Sequence, residues 1–179
     1  MPVIEPSIVL SPDGRRRPGL DQSLLALSAT GTRYGDIEVR GHPDPVRLRI
    51  TAAGLPPVDL IAPTRIGGPR LRCCGPATRM SVAGMTASFA QRPLRLTRRQ
   101  RALHIHLGDA GYHWTAHTLI RTNQLVNEAT GPVALTRWTA GNAIVTPTPA
   151  ATATDTALAL ALCVGLDTDP LHVLRLLAP

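Results

Sequence analysis

The stretch ATDTALALALCVGLD, residues 153–167, decides the fold of this chain. Thr154 or Asp155 can cap a helix, and the segment 156–166 that follows is apolar on every side. Such a helix spans about 16 Å at its rise per residue, which is too short to cross a bilayer. It therefore has to be surrounded by protein. A closed barrel covers all of its faces, whereas an ordinary sandwich covers one.

The sequence before this helix is typical of short antiparallel strands. VRLRI, residues 46–50, places Val46, Leu48 and Ile50 on one face and two arginines on the other, which is the pattern of a half-buried strand. Similar runs continue to about residue 146, with turn sequences at 127–131 and 140–142. Together with a helix over 155–166, they predict a mainly β domain over 33–167, an antiparallel β-barrel around a buried hydrophobic C-terminal helix.

The two ends of the chain depart from this pattern. Residues 1–32 are rich in proline and predict an irregular segment, with DQSLLALS, residues 21–28, as a short helix. At the other end, Thr168 or Asp169 can begin a helix that has Pro170 in its first turn. Residues 168–179 are therefore predicted to form a C-terminal amphipathic helix.

The positive charge of the chain is carried by arginine alone. All 19 basic residues are arginines, and the net charge is +7. This composition suggests a GC-rich, bacterial gene, and the charge favours an anionic partner. The densest group is predicted to contact that partner, because guanidinium forks match phosphate geometry: Arg92, Arg95, Arg98, Arg99 and Arg101. The alternative is that these are solvated arginines on turns and strand faces.

Cysteine usage and the N-terminal sequence predict a cytoplasmic protein. The three cysteines form neither an even set nor a Cys-x-x-Cys pair, which is typical of a reducing compartment. Residues 1–14 lack the features of a signal peptide. No transmembrane segment is predicted, and contact with a membrane surface from outside stays open.

Four histidines fall within the short stretch RALHIHLGDAGYHWTAH, residues 101–117. A hairpin with Asp109 and Ala110 as its loop residues sorts the polar side chains onto one face and opposes His106 to His113. The candidate metal ligands on that face are His104, His106, His113 and His117. Three imidazoles could bind one zinc or another divalent transition metal. The alternatives are a solvated or partner-facing strand face and a pH-sensitive surface.

Complete catalytic signatures are missing from the sequence. It contains no Gly-x-Ser-x-Gly elbow, no phosphate-binding Gly-rich loop and no dinucleotide fingerprint. The absence of lysine excludes Schiff-base chemistry. The sequence predicts no cofactor except the divalent transition metal that the histidine cluster would bind under the alternative hypothesis. A binding role is favoured over an enzymatic one.

The last third of the chain resembles the tubby C-terminal-like superfamily, in its LURP-one-related and phospholipid-scramblase branch. The resemblance rests on EATGPVALTRWTAGNAIV, residues 128–145, followed by the Asp-led apolar helix. It implies a closed barrel of short antiparallel strands around a hydrophobic C-terminal helix. The binding residues of that family do not align with this chain, so the resemblance implies no site residues.

These observations leave three functions open. The first is a non-enzymatic binding or scaffold protein whose basic surface meets a lipid headgroup, a nucleic-acid backbone or an acidic protein. Single-stranded nucleic acid is disfavoured, because aromatic residues make up only 3% of the chain. Sequence-specific nucleic-acid binding is not expected either. The second is a small metal-binding barrel or metalloenzyme that uses the histidine cluster. The third is a structural subunit that self-associates or docks in a larger assembly through helix 168–179.

Overall fold

The computed structural model describes residues 6–12, 25–43, 46–62, 78–91, 102–117, 122–139 and 141–166. Within these ranges, twelve β-strands precede a single α-helix. The elements are β1 (Ile8–Pro12), β2 (Leu25–Thr32), β3 (Gly35–Pro43), β4 (Val46–Ala52), β5 (Leu55–Ala62), β6 (Arg79–Val82), β7 (Met85–Gln91), β8 (Leu103–Leu107), β9 (Ala110–His117), β10 (Thr122–Asn127), β11 (Gly131–Thr139), β12 (Asn142–Pro147) and α1 (Ala153–Leu166).

The strands form one closed antiparallel barrel in which each strand pairs with its neighbours in sequence. Closure comes from β1, which pairs with β2 on one side and with β12 on the other, where Ile8 lies opposite Val145. Tight turns join many of the strands, as the alternating pattern and the glycines predicted. The predicted mainly β barrel is confirmed.

Helix α1 fills the barrel as the sequence predicted. Residues 155–165 are all buried, and Leu158, Leu160 and Leu162 are fully enclosed. The helix packs against β4, β5, β6, β11 and β12, whose inward residues are apolar apart from Thr136 on β11. A helix without a polar stripe is stable here because the strands remove every side of it from water.

The helix begins two to three residues earlier than the sequence predicted. Thr152, and not Thr154 or Asp155, is the N-cap: its Oγ1 accepts a hydrogen bond from the Asp155 amide at 3.1 Å. Asp155 Oδ2 in turn accepts from the amide and hydroxyl of Thr152, both at 2.8 Å, which completes a capping box. Tyr112 donates to Asp155 Oδ1 at 2.9 Å, so this buried carboxylate ties β9 to the start of the helix.

The barrel also begins earlier in the chain than residue 33. Both β1 and β2 lie within residues 1–32, where the sequence predicted an irregular segment. Residues 25–28 of the predicted short helix belong to β2. Leu25-Ala26-Leu27-Ser28 fits a strand or a helix equally well, because a short apolar run does not distinguish the two periods. The predicted helix over 168–179 lies outside the described residues.

Within the described residues, the single helix α1 is not long and apolar enough to cross a bilayer.

Candidate metal centre

The β8–β9 hairpin places three histidines on the outer face of the barrel. Leu103, Ile105 and Leu107 point inward and are buried, so His104 and His106 between them face outward. On β9 the same alternation buries Tyr112 and leaves His113 outside. For the described side chains of this hairpin, the predicted sorting of polar and apolar residues is confirmed.

The register of this hairpin differs from the prediction. Its loop residues are Gly108 and Asp109, and Leu107 pairs with Ala110. Gly108 has φ +57°, which suits the first central position of a type II′ turn. The turn lies one residue earlier than predicted, which shifts the pairing by two residues and keeps each side chain on its face. His113 therefore opposes His104 and not His106.

The opposed pair forms a compact group with a carboxylate. The His104 and His113 rings meet edge to face, with centroids 4.4 Å apart. His113 Nε2 lies 3.0 Å from Glu128 Oε1. One ring nitrogen of each histidine and one Glu128 oxygen all lie within 4.8 Å of one another. The side chain of His113 is only 20% exposed, so the group is partly shielded from water.

Backbone contacts place Glu128 next to the histidines. It follows β10 in the turn to β11, and its amide donates to the Gly111 carbonyl at 2.9 Å. The Asn127 side chain supports this turn by accepting from the Ala129 amide at 2.9 Å. The Glu128 carboxylate lies directly over Gly111, where a Cβ would come within 2.4 Å of Oε2. The absent side chain at residue 111 leaves the space that the carboxylate occupies.

One nitrogen in this group is unsatisfied. Among the described residues, the buried Nδ1 of His113 has no hydrogen-bond partner, although Nε2 contacts Glu128. An unpaired buried polar atom costs about 1–3 kcal/mol. This nitrogen is not the one that contacts Glu128, so the support for a metal-binding group comes from the convergence of the three side chains and not from Nδ1.

Two imidazoles and one carboxylate form a donor set that suits Zn²⁺ or Fe²⁺. Donor atoms around a tetrahedral zinc lie about 3.4 Å apart, given bonds of about 2.1 Å. Small side-chain rotations would close the observed group to this size. Three protein ligands leave one position open for water or a fourth ligand, as in zinc sites that bind a further group.

The other predicted site residues are not part of this group. His106 is exposed and lies opposite Gly111. The backbone of His117 pairs with Thr122, and its side chain lies outside the described residues. The predicted anion-binding arginines also lie outside them: Arg92, Arg95, Arg98, Arg99 and Arg101.

Sequence reasoning missed Glu128. The residue was recognised only as part of the turn at 127–131. The signal that could have found it is the order of consecutive antiparallel strands. If β9 pairs with β10, the residue that follows β10 comes to lie beside the start of β9. That argument also needs the register across residues 118–121, which the sequence pattern does not fix.

A separate basic face covers the outer surface of β3 to β6. Its exposed arginines are Arg40, Arg47, Arg49 and Arg79. Arg40 lies 3.6 Å from Glu38, and Arg49 lies 3.5 Å from Asp59. These side chains are more than half exposed, so the two ion pairs contribute little to stability.

Comparison with protein-family models, with curated proteins and with solved structures found no match. The resemblance to the tubby C-terminal-like superfamily therefore stays a prediction, and the function has to be argued from the geometry of the chain itself.

Proposed function

We propose that this barrel binds a divalent transition metal, with Zn²⁺ as the first candidate, through His104, His113 and Glu128. The observation that carries the proposal is the convergence of three ligand atoms within 4.8 Å. Two strands and one tight turn hold these side chains, and the space over Gly111 accommodates the carboxylate. A site built on paired strands holds its ligands more accurately than one on a long loop.

The chemistry of the donors supports a transition metal over Ca²⁺ or Mg²⁺. Imidazole nitrogen is a good ligand for zinc, copper, nickel and iron, whereas calcium and magnesium prefer sites made of oxygen alone. The His₂Glu set binds through one anionic and two neutral groups. The complex of this set with Zn²⁺ has a net charge of +1, and one water molecule can fill the open coordination position.

The test is the metal content of untagged protein purified without chelator, followed by calorimetric titration with ZnCl₂. We expect about one zinc per chain for the wild type and none for His113→Ala. His42→Ala is the matched control, because His42 lies on β3, away from this group. Equal zinc content in wild type and His113→Ala would refute the proposal.

A second candidate function is contact with an anionic partner through the basic face of β3 to β6. The observation in its favour is a row across three strands, in which Ile61 lies between Arg47 and Arg79. Ile61 is 50% exposed, and among the described residues neither arginine has an acidic partner. Exposed guanidinium groups such as these can bind phosphate or carboxylate oxygens.

Elution from a heparin column tests this second candidate. The double variant Arg47→Glu, Arg79→Glu should elute at clearly lower salt than the wild type. The control is Arg137→Glu, on the outer face of β11. It measures how far the elution shifts when one arginine outside the basic face is reversed in charge. If the double variant shifts no more per reversed charge than the control, net charge alone explains the retention and the face has no special role.

A further inference from the structure

The strands around the histidine group carry little charge on their outer face. Ala90 lies beside His104, and Ser88 lies beside His106 on the neighbouring strand β7. On the other side, Val126 lies beside His113. The described strand residues on the outer face of β7 to β9 carry no formal charge, and the adjoining turns contribute two acidic residues, Asp109 and Glu128. The described strand residues of this face therefore place no like charges opposite each other when it meets a second copy.

The metal group itself is open toward this surface. All of its ligands come from one side, because they project from the convex outside of a barrel. A convex sheet cannot wrap around a metal ion, so the open coordination position points away from the chain. Zinc in a closed site takes four ligands, and the fourth has to come from water or from another molecule.

His106 is positioned to supply that fourth ligand to another molecule. It lies on the same outer face, two residues from His104, and its side chain is exposed. It is not one of the residues whose ligand atoms converge within 4.8 Å. Its row, His106 opposite Gly111, lies next to the row of His104 opposite His113. Rows two residues apart on a strand are separated by about 6.8 Å.

We propose that two copies of this chain meet through the outer face of β7 to β9, with His106 of each copy completing the metal site of the other. A two-fold axis in the interface plane, running between the two rows, places each His106 over the facing His104–His113 pair. The contact is reciprocal, as two-fold interfaces are, and holds two metal ions per dimer. This inference rests on the proposed metal site.

Sedimentation velocity of the full chain with one equivalent of ZnCl₂, and with EDTA, tests the proposal. We expect a dimer with zinc and a monomer with EDTA. His106→Ala should keep about one zinc per chain by calorimetry but dimerise at least tenfold more weakly. His42→Ala should behave as the wild type. Because His106 is exposed, its replacement leaves the fold intact, which circular dichroism checks.

The outcomes separate this inference from the proposed function. A wild type that binds zinc but stays monomeric overturns the dimer and leaves the metal site standing. So does His106→Ala that dimerises like the wild type, or a wild type that is dimeric in EDTA. If the wild type binds no zinc at all, the metal site and the dimer are both wrong.

Discussion

Replacing Gly111 with alanine gives the sharpest test of the metal centre, because it moves one ligand without removing any. The new Cβ would lie 2.4 Å from Glu128 Oε2, whereas real contacts of this kind are at least 3.0–3.4 Å. The carboxylate therefore has to move by about 0.6–1.0 Å. Zinc–oxygen bonds are about 2.0–2.2 Å long, so a shift of this size in the carboxylate is large on the scale of the bond and hinders the small rotations that would bring it onto the metal.

We expect Gly111→Ala to lower zinc affinity by at least about 10–100-fold, which corresponds to about 1.4–2.7 kcal/mol. Without metal the variant should be as stable as the wild type or more stable by up to about 1 kcal/mol, because glycine weakens a strand relative to alanine. Gly111 does not have a positive φ, so alanine fits its backbone.

Calorimetric titration with ZnCl₂ and urea unfolding in EDTA measure the two quantities separately. Ser88→Ala, a small change on the adjacent strand β7, is the control and should leave both unchanged. An unchanged zinc affinity in Gly111→Ala would refute the assignment of Glu128 as a ligand. Loss of stability in EDTA would show that the glycine serves the fold instead.

Three further predictions concern α1, its N-cap and the tyrosine bonded to Asp155, and are measured by urea unfolding. Leu160→Ala should cost about 2–5 kcal/mol, because it leaves a cavity around a fully buried helix residue; a loss below 1 kcal/mol would contradict the central position of the helix. Thr152→Ala should cost about 1 kcal/mol by removing the N-cap, and no loss would argue against the capping box. Burial, followed by the hydrogen bond and charge of Asp155, raises the pKa of Tyr112. The folded state therefore keeps this phenol protonated, while the unfolded chain ionises it near pH 10. The contribution of Tyr112 to the free energy of unfolding should be constant below about pH 10 and decrease above it. In Tyr112→Phe, the free energy of unfolding should therefore decrease less above about pH 10 than in the wild type.

Much of the fold could be predicted because two patterns in the sequence are compatible with only one architecture. The segment 156–166 has no polar face, so it must be enclosed, and the alternating strands before it can enclose it only by closing. The early strands were missed because β1 is short and β2 mixes Leu with Ala and Ser, which favours neither period. Long-range closure between β1 and β12 leaves no local signal in either strand.

The candidate site could be predicted only in part, for a similar reason. Alternation on β8 and β9 places the histidines on one face whatever the turn, so this prediction was robust to the error in register. The identity of the opposed pair depended on the turn, where Gly108 and Asp109 form the loop. Glu128 belongs to a different hairpin connection, and its place depends on pairing between β9 and β10 that no single stretch of sequence encodes.

The position of α1 after all twelve strands has a consequence for how the chain is made and folded. The ribosome releases the strands first, and the apolar lining of the barrel has no partner until residues 153–166 emerge. The final pairing joins Ile8 to Val145, so closure also waits for nearly the whole chain. Most strand pairs join neighbours in sequence, so barrel closure and packing of α1 are the distant contacts that form slowly. During that interval, an open sheet with an apolar face and two unpaired edges is exposed to other chains, and synthesis of this protein should depend strongly on temperature and chaperone supply.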